Sequence, residues 1–372
     1  MEKGNGEPRS AFHVLITGTD PSVVRGGIGF VLPGYFAALN AAQLSWEFLP
    51  TYHATAWGGR TLWACRGLIQ ILKRLADTRR RARLIIYSHP GRGVSLLREG
   101  LILRIARCFG ARTVIQVHSL SVIKYVGQWR GRLLLKFALG GAHVVLTLTP
   151  WWKAFIEQQF PEMTIRIVPN PMPPACTEAA WGILASRNDE HTRKQGCART
   201  ILAMTRLVPG KGLDTVIEAM SYLPGEYRLL IAGSGPSEKR LKAMVSSLNL
   251  DHRVKFLGWV DEEAKISLFR EADLFCLPSV NDSFGMVYIE ALSNGIPVVA
   301  GDWGPIRDVI PEGVGRLVPP NDARATSDAI RELSKRSLDR KAVASTILDR
   351  FAPANVAPAL QGALEETVKP RV

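Results

Sequence analysis

Twice along the chain, short unbroken apolar runs alternate with stretches of helical periodicity, and this rhythm leaves few folds open. In the first half the runs are HVLITG (13–18), RLIIYSH (83–89), TVIQVHS (113–119), HVVLTLT (143–149) and IRIVPNP (165–171). Helical spacing lies between them over 28–44, 96–109, 130–139 and 151–160. Strands apolar on both sides are covered on both faces, the condition of a parallel sheet flanked by helices. Over 172–198 proline, polar and charged residues break the rhythm. It restarts in TILAMTR (200–206), RLLIAG (228–233), VKFLGWV (254–260), DLFCLPS (273–279) and PVVAGD (297–302). Helices are expected there over 237–248, 262–271, 284–294 and 325–336, then a helical tail over 340–372 broken at Pro353. At 372 residues the chain divides into two doubly wound α/β domains, 1–175 and 199–350, with a linker at 176–198 and a tail at 351–372. Open α/β sheets bind ligands at the carboxyl ends of their strands, and two that face each other form a cleft suited to a small molecule.

The charge is unevenly placed. Residues 1–180 hold 22 Lys+Arg against 9 Asp+Glu, and residues 181–372 hold 25 against 24. Thirteen of the cations fall between Arg60 and Arg112, several among apolar neighbours as in RGLIQILKRLADTRRR. Such a field favours an anionic partner, and basic amphipathic helices suit an anionic membrane surface. Nucleic acid is not expected as a partner, because neither a recognition motif nor a stacking cluster accompanies the cations. The five cysteines are scattered and never spaced as CxxC, which points to a reducing compartment. The N-terminus carries no leader pattern, and the apolar run 137–152 is too short and too interrupted to span a bilayer. The chain therefore reads as cytoplasmic, with peripheral attachment to the inner face of the membrane.

Four motifs carry chemistry. Gly26, Gly27 and Gly29 lie between the first strand and a helix, where backbone can approach a phosphate. In TRLVPGKG, Arg206 ends a strand and the turn brings Lys211 back beside it, two cations suited to a diphosphate leaving group. Gly233-Ser234-Gly235-Pro236 follows RLLIAG without the last glycine of a dinucleotide fingerprint, which speaks against an NAD enzyme and for a turn facing a nucleotide. The most informative segment is PSVNDSFGMVYIEALSNGIPVVA (278–300). Its helix is expected to start near Phe284, leaving the amides of Phe284, Gly285 and Met286 for phosphate oxygens. Asp282 stands at the helix mouth. Glu290, eight residues on and rotated by about 80°, lies deeper on an apolar face, where it needs a partner such as a ribose diol.

This pattern resembles the family-4 retaining glycosyltransferases, which have the GT-B architecture of two Rossmann-like domains. The family's ExFGxxxxEAxxxGxPVV segment stands here as DSFGMVYIEALSNGIPVV, with Asp282 in place of the usual glutamate. Arg206 and Lys211, the turn at 233–236, FLGWV and VGRLVPPND (314–322) match further family features, as do GGIG, the histidine of IQVHS and IRIVPNPM, where Asn170-Pro171 replaces the usual Asn-Gly. The resemblance implies an acceptor domain at 1–175, a donor domain at 199–350 and a tail packing back on the first. It implies a UDP- or GDP-linked sugar as co-substrate, a hexose transferred with retention to a glycan or lipid-linked acceptor, and a role in polysaccharide or glycolipid biosynthesis. No metal or other cofactor is implied, and the sequence contains no DxD triplet. By the same resemblance Glu290 holds the ribose, while Arg206, Lys211 and the 284–285 amides hold the diphosphate. Asp282 touches the donor sugar, and His118 lies across the cleft near the transferring sugar. Gly26, Gly27, Gly233, Gly235, Val260, Ser283 and Met286 complete the donor-binding set. The other histidines, His89 included, are left as loop or acceptor-side residues. The competing readings are a basic nucleic-acid-binding protein and a GT-B-like binding protein without activity.

Overall fold

The computed structural model describes residues 12–21, 27–52, 69–76, 84–186, 199–336 and 338–369. They form two compact units, one of Met1–Pro174 with Phe351–Val372 and one of Ala175–Arg350. The first unit runs β1 (His13–Thr19), α1 (Gly27–Ala41), β2 (Ser45–Tyr52), the helical stretch α2 (69–76) and β3 (Leu84–His89). It continues with α3 (Val94–Cys108), β4 (Arg112–Gln116), α4 (Ser121–Val126), α5 (Trp129–Leu139), β5 (Val144–Thr147), α6 (Pro150–Gln159) and β6 (Ile165–Ile167). The second unit opens with α7 (Pro174–Ala185) and proceeds through β7 (Arg199–Met204), α8 (Leu213–Met220), β8 (Tyr227–Ala232), α9 (Glu238–Ser247) and β9 (Val254–Gly258). It ends with α10 (Glu262–Glu271), β10 (Leu274–Leu277), α11 (Met286–Ser293), β11 (Val298–Gly301), α12 (Ile306–Val309), β12 (Gly315–Val318), α13 (Ala323–Lys335) and α14 (Arg340–Phe351). A final helix, α15 (Pro353–Val368), belongs to the first unit.

Each unit is built on a six-stranded parallel sheet, ordered β2-β1-β3-β4-β5-β6 in the first and β12-β11-β10-β7-β8-β9 in the second. All residues of β3, β5, β10 and β11 are buried, which is why these strands show no polar alternation. In both sheets the chain starts in the middle, winds outward one way, then returns to wind the other way. The reversal falls between β1 and β3 in the first sheet and between β7 and β10 in the second. The loops leaving two such strands diverge, so a crevice opens at that point.

Local signals set the element ends. Thr149 caps α6 by accepting from the Trp152 amide, with Pro150 at the first helical position. Asp261 caps α10 and Asp322 caps α13 in the same way. α15 packs on α1, and Arg166 donates to Glu366 through two guanidinium nitrogens. Of the stretch read as linker, residues 176–185 are helical and residues 187–198 lie outside the described part. Among the described residues no helix is long and apolar enough to cross a membrane.

Candidate functional site

The second unit's crevice is built by the loops that follow β7 and β10. The Val280 amide donates to the Gly210 carbonyl at 3.0 Å, and Ser279 Oγ donates to the same oxygen at 3.2 Å. Gly212, at φ 73°, lies so close to Pro278 that a Cβ there would come within 2.4 Å of its carbonyl oxygen. These contacts place Lys211 over the second loop. Its Nζ donates to Asp282 Oδ1 at 2.7 Å and to the Asn281 carbonyl at 3.0 Å. The partner of Lys211 is Asp282, while Arg206, on the loop after β7, is exposed and forms no ion pair among the described residues. The other oxygen of Asp282, Oδ2, is enclosed and has no hydrogen-bond partner among the described residues. A buried acceptor in that state is costly and gains from any donor that reaches it, such as a sugar hydroxyl.

Helix α11 starts two residues later than expected. Gly285 is its N-cap, left-handed at φ 76° and ψ 52°, so Ser283 and Phe284 belong to the loop, and the Phe284 side chain is buried. A Cβ on Gly285 would lie 2.4 Å from the Tyr288 ring, whose hydroxyl donates to the Leu277 carbonyl at 2.6 Å. The helix mouth therefore opens at Met286. About one turn further, Glu290 Oε1 accepts from Lys265 Nζ of α10 at 2.6 Å, and Lys265 also donates to Glu262 at 3.0 Å. Burial raises the Glu290 carboxyl above the usual range, with Lys265 opposing it. Burial alone would lower Lys265, but Glu290 and Glu262 together hold it above its ordinary value. Among the described residues Oε2 of Glu290 has no hydrogen bond, so one carboxylate oxygen is fixed by Lys265 and the other is available.

The turn at 233–236 packs against the loop that carries Arg206. A Cβ on Gly233 would fall 1.9 Å from the Thr205 carbonyl oxygen, and one on Gly235 would fall 2.4 Å from that of Leu207. The Gly233 amide donates to the Gly258 carbonyl at 2.7 Å, tying in the end of β9, after which Val260 is half-buried. Loop packing alone therefore requires both glycines.

In the first unit, His89 ends β3 and His118 follows β4. His89 Nδ1 and His118 Nε2 are 2.9 Å apart, with the rings stacked at 5.1 Å. Tyr35 of α1 sets its ring edge-on to both and donates to Asn170 Oδ1 at 3.0 Å. Burial lowers His118 to about 3, with Asn170 slightly favouring its charged form, and burial and His118 push His89 well below the usual histidine range. Both imidazoles are therefore neutral near pH 7 and share one hydrogen between them. Below the pair, the buried carboxylate of Glu99 accepts from Thr17 of β1 at 2.8 Å and from Ser88 of β3 at 2.9 Å, and also from Thr51 of β2. It thus fastens three strand ends at the reversal. Gly26 lies outside the described residues, and Gly27 opens α1 with no neighbour where its Cβ would be.

The sequence marks His118, Arg206, Lys211, Asp282 and Glu290, sets His89 among the loop or acceptor-side residues, and gives no sign of Glu99 and Lys265. His89 carried the same signal as His118, a histidine at the carboxyl end of a buried strand. Glu99 and Lys265 sit mid-helix, where a charge reads as solvent-facing until its neighbours are known.

Residues 186–347 match the family model of glycosyl transferases group 1. The chain is similar to the phosphatidyl-myo-inositol mannosyltransferase of Mycobacterium leprae, 37% identical over 152 residues, which is 38% of this chain and 39% of that protein. It is also similar to a GDP-mannose-dependent monoacylated alpha-(1-6)-phosphatidylinositol monomannoside mannosyltransferase of Corynebacterium glutamicum, 31% identical over 153 residues, 38% of this chain and 40% of that protein. The matched region thus spans about two-fifths of each relative's length. Among solved structures, the sucrose-phosphate synthase of Thermosynechococcus elongatus superposes with a TM-score of 0.70 at 21% identity, covering 95% of this chain and 98% of that one, a likeness of fold. Residues 186–347 thus carry the glycosyl transferases group 1 region, and the chain has the GT-B fold of two Rossmann-like units.

Proposed function

We propose that this protein transfers a hexose from a nucleotide diphosphate sugar to a lipid-linked or glycan acceptor, with retention of anomeric configuration and without a metal. The observation that carries the reading is the β7/β10 crevice, where the Lys211–Asp282 pair and the mouth of α11 meet on two interlocked loops, with the half-satisfied Glu290 carried on the same helix. Glu290 Oε2 accepts from a ribose hydroxyl. Lys211, Arg206 and the first amides of α11 carry the negative charge that grows on the departing diphosphate. Asp282 Oδ2 accepts from a hydroxyl of the donor sugar, while His118 is the first unit's contribution to the transferring sugar. The bond from the anomeric carbon to the phosphate oxygen breaks as the acceptor oxygen bonds to that carbon from the same face. The acceptor's proton passes to the departing phosphate, so the residues work by position and charge. The two mannosyltransferases similar to this chain favour mannose and a lipid acceptor.

A thermal-shift panel of GDP-mannose, UDP-glucose and UDP-N-acetylglucosamine tests the donor site. One of them should raise the melting temperature, and Glu290→Ala should remove both that shift and the release of nucleoside diphosphate. A panel without any shift, or transfer unchanged in Glu290→Ala, refutes the assignment. The anomeric configuration of the product, read by NMR coupling, decides retention.

A further inference from the structure

Two neighbouring helices of the first unit expose large apolar side chains that none of its described residues covers. On α3, Val94, Leu97 and Leu101 are 78%, 49% and 47% exposed. Their spacing of three and four places them in one stripe, opposite the buried Leu96, Leu103 and Ala106. On α5, Trp129 and Leu133 are 70% and 59% exposed, opposite the buried Leu135 and Ala138. The helices pack directly, since a Cβ on Gly100 would lie 2.7 Å from the Ala138 Cα, and Arg104 donates to the Phe137 carbonyl. Their leading ends are joined through Tyr125, whose hydroxyl accepts from the Gly93 amide and whose backbone abuts Gly131. Both stripes thus lie on the outward side of one helix layer, toward the helix starts and hence toward the sheet edge that carries His89 and His118.

The charge of this layer has one sign. Between Arg92 and Gly141 the sequence holds nine Lys+Arg and a single acid, Glu99, which is fully buried. Lys124, Arg130, Arg132 and Lys136 are exposed, and Arg130 lies over the Trp129 ring at 5.1 Å. Lys136 meets Glu162 at 3.8 Å, while Lys124, Arg130 and Arg132 carry no ion pair among the described residues. Exposed aliphatic and indole groups set among cations in excess, with no exposed acid on the two helices themselves, match a surface that is apolar inside and anionic at its face. A second copy of the chain would bring cations onto cations. Nucleic acid would satisfy the cations and leave Val94, Leu97 and Leu101 without a partner.

We infer that the α3/α5 layer is a docking surface for an anionic lipid bilayer, with Trp129, Leu133, Leu97 and Leu101 entering the headgroup boundary and the cations meeting lipid phosphates. The inference rests on the lipid-linked acceptor proposed above, because docking there would bring the histidine-bearing strand ends to the layer in which such an acceptor is held. The surface is separate from the donor crevice, so the two readings fail separately.

The test is vesicle flotation of the full chain with phosphatidylcholine alone and with added phosphatidylglycerol. It compares the native protein with Trp129→Glu/Leu133→Glu and Leu97→Glu/Leu101→Glu. The native protein should float with the anionic vesicles only, and each double variant should lose roughly tenfold or more in partitioning. The nucleotide-sugar thermal shift should stay unchanged in both variants, which shows that they are folded and that the donor site is intact. Equal flotation of native and variant proteins, or none by the native protein, overturns the inference. So does a concentration-dependent dimer that the variants abolish, which would assign the face to a second copy. Flotation as expected without any nucleotide shift would retain this surface and refute the donor reading.

Discussion

Lys265 and Glu290 form a pair in which each side chain is about one-seventh exposed, and the carboxylate still has one oxygen to offer. Lys265→Met would strand a largely buried charge, with a stability cost of about 3 kcal/mol in the second unit and a rise of roughly tenfold in KM for the donor. Lys265→Arg should recover most of both, as read by denaturant melts and initial rates. His89 acts on His118 in a comparable way, since their shared hydrogen bond sets which nitrogen of His118 carries its proton. His89→Phe should lower kcat on the order of tenfold to a hundredfold and leave the donor's thermal shift unchanged, a split that a general loss of folding would not give. At this scale the sequence disclosed the residues whose neighbours in the chain explain them, such as Asp282 at a helix mouth. It concealed Lys265, Glu99 and the partnership of His89, because their meaning comes from groups 25, 82 and 29 residues away.

Among the elements, α11 is the most exacting. Its N-cap needs both a positive φ and the absence of a Cβ, so Gly285→Ala should cost about 2–4 kcal/mol by urea titration and weaken donor binding with it. α10 carries Lys265 and is capped by Asp261, which accepts from the Ala264 amide at 2.9 Å. Asp261→Ala should therefore cost about 1 kcal/mol. The buried strands were legible because a parallel sheet covered on both faces leaves runs of apolar residues. β2 was not, since SWEFLPTY carries Glu47 and Pro50 within it. Both are tolerated for physical reasons. β2 is an edge strand, where a proline amide is not needed, and Arg74 meets the buried Glu47 carboxylate at 2.7 Å. The start of α11 was misplaced because a glycine next to a helical run reads equally well as its first turn or as its cap.

At the scale of the molecule, two buried neutral histidines make the first unit sensitive to acid. Both lie below their ordinary values when folded, so the unfolded chain binds protons that the native one refuses. Stability should then fall as pH drops from about 6.5 toward 3, by up to about 1.4 kcal/mol per pH unit for each histidine. The His89→Gln/His118→Asn double variant should show a shallower slope in melting temperature over that window. The closing helix has a different consequence. Arg166 holds Glu366, the Met172 amide donates to the Phe351 carbonyl at 2.8 Å, and α15 covers α1 within the unit that the N-terminus begins. On the ribosome, the second unit's whole sequence is synthesised before the first unit receives α15. Chains that end at Arg350 and are held clear of the ribosome by an unstructured linker should therefore resist protease across the later unit while the earlier one is still cut, an inversion of the usual order in which domains mature during synthesis.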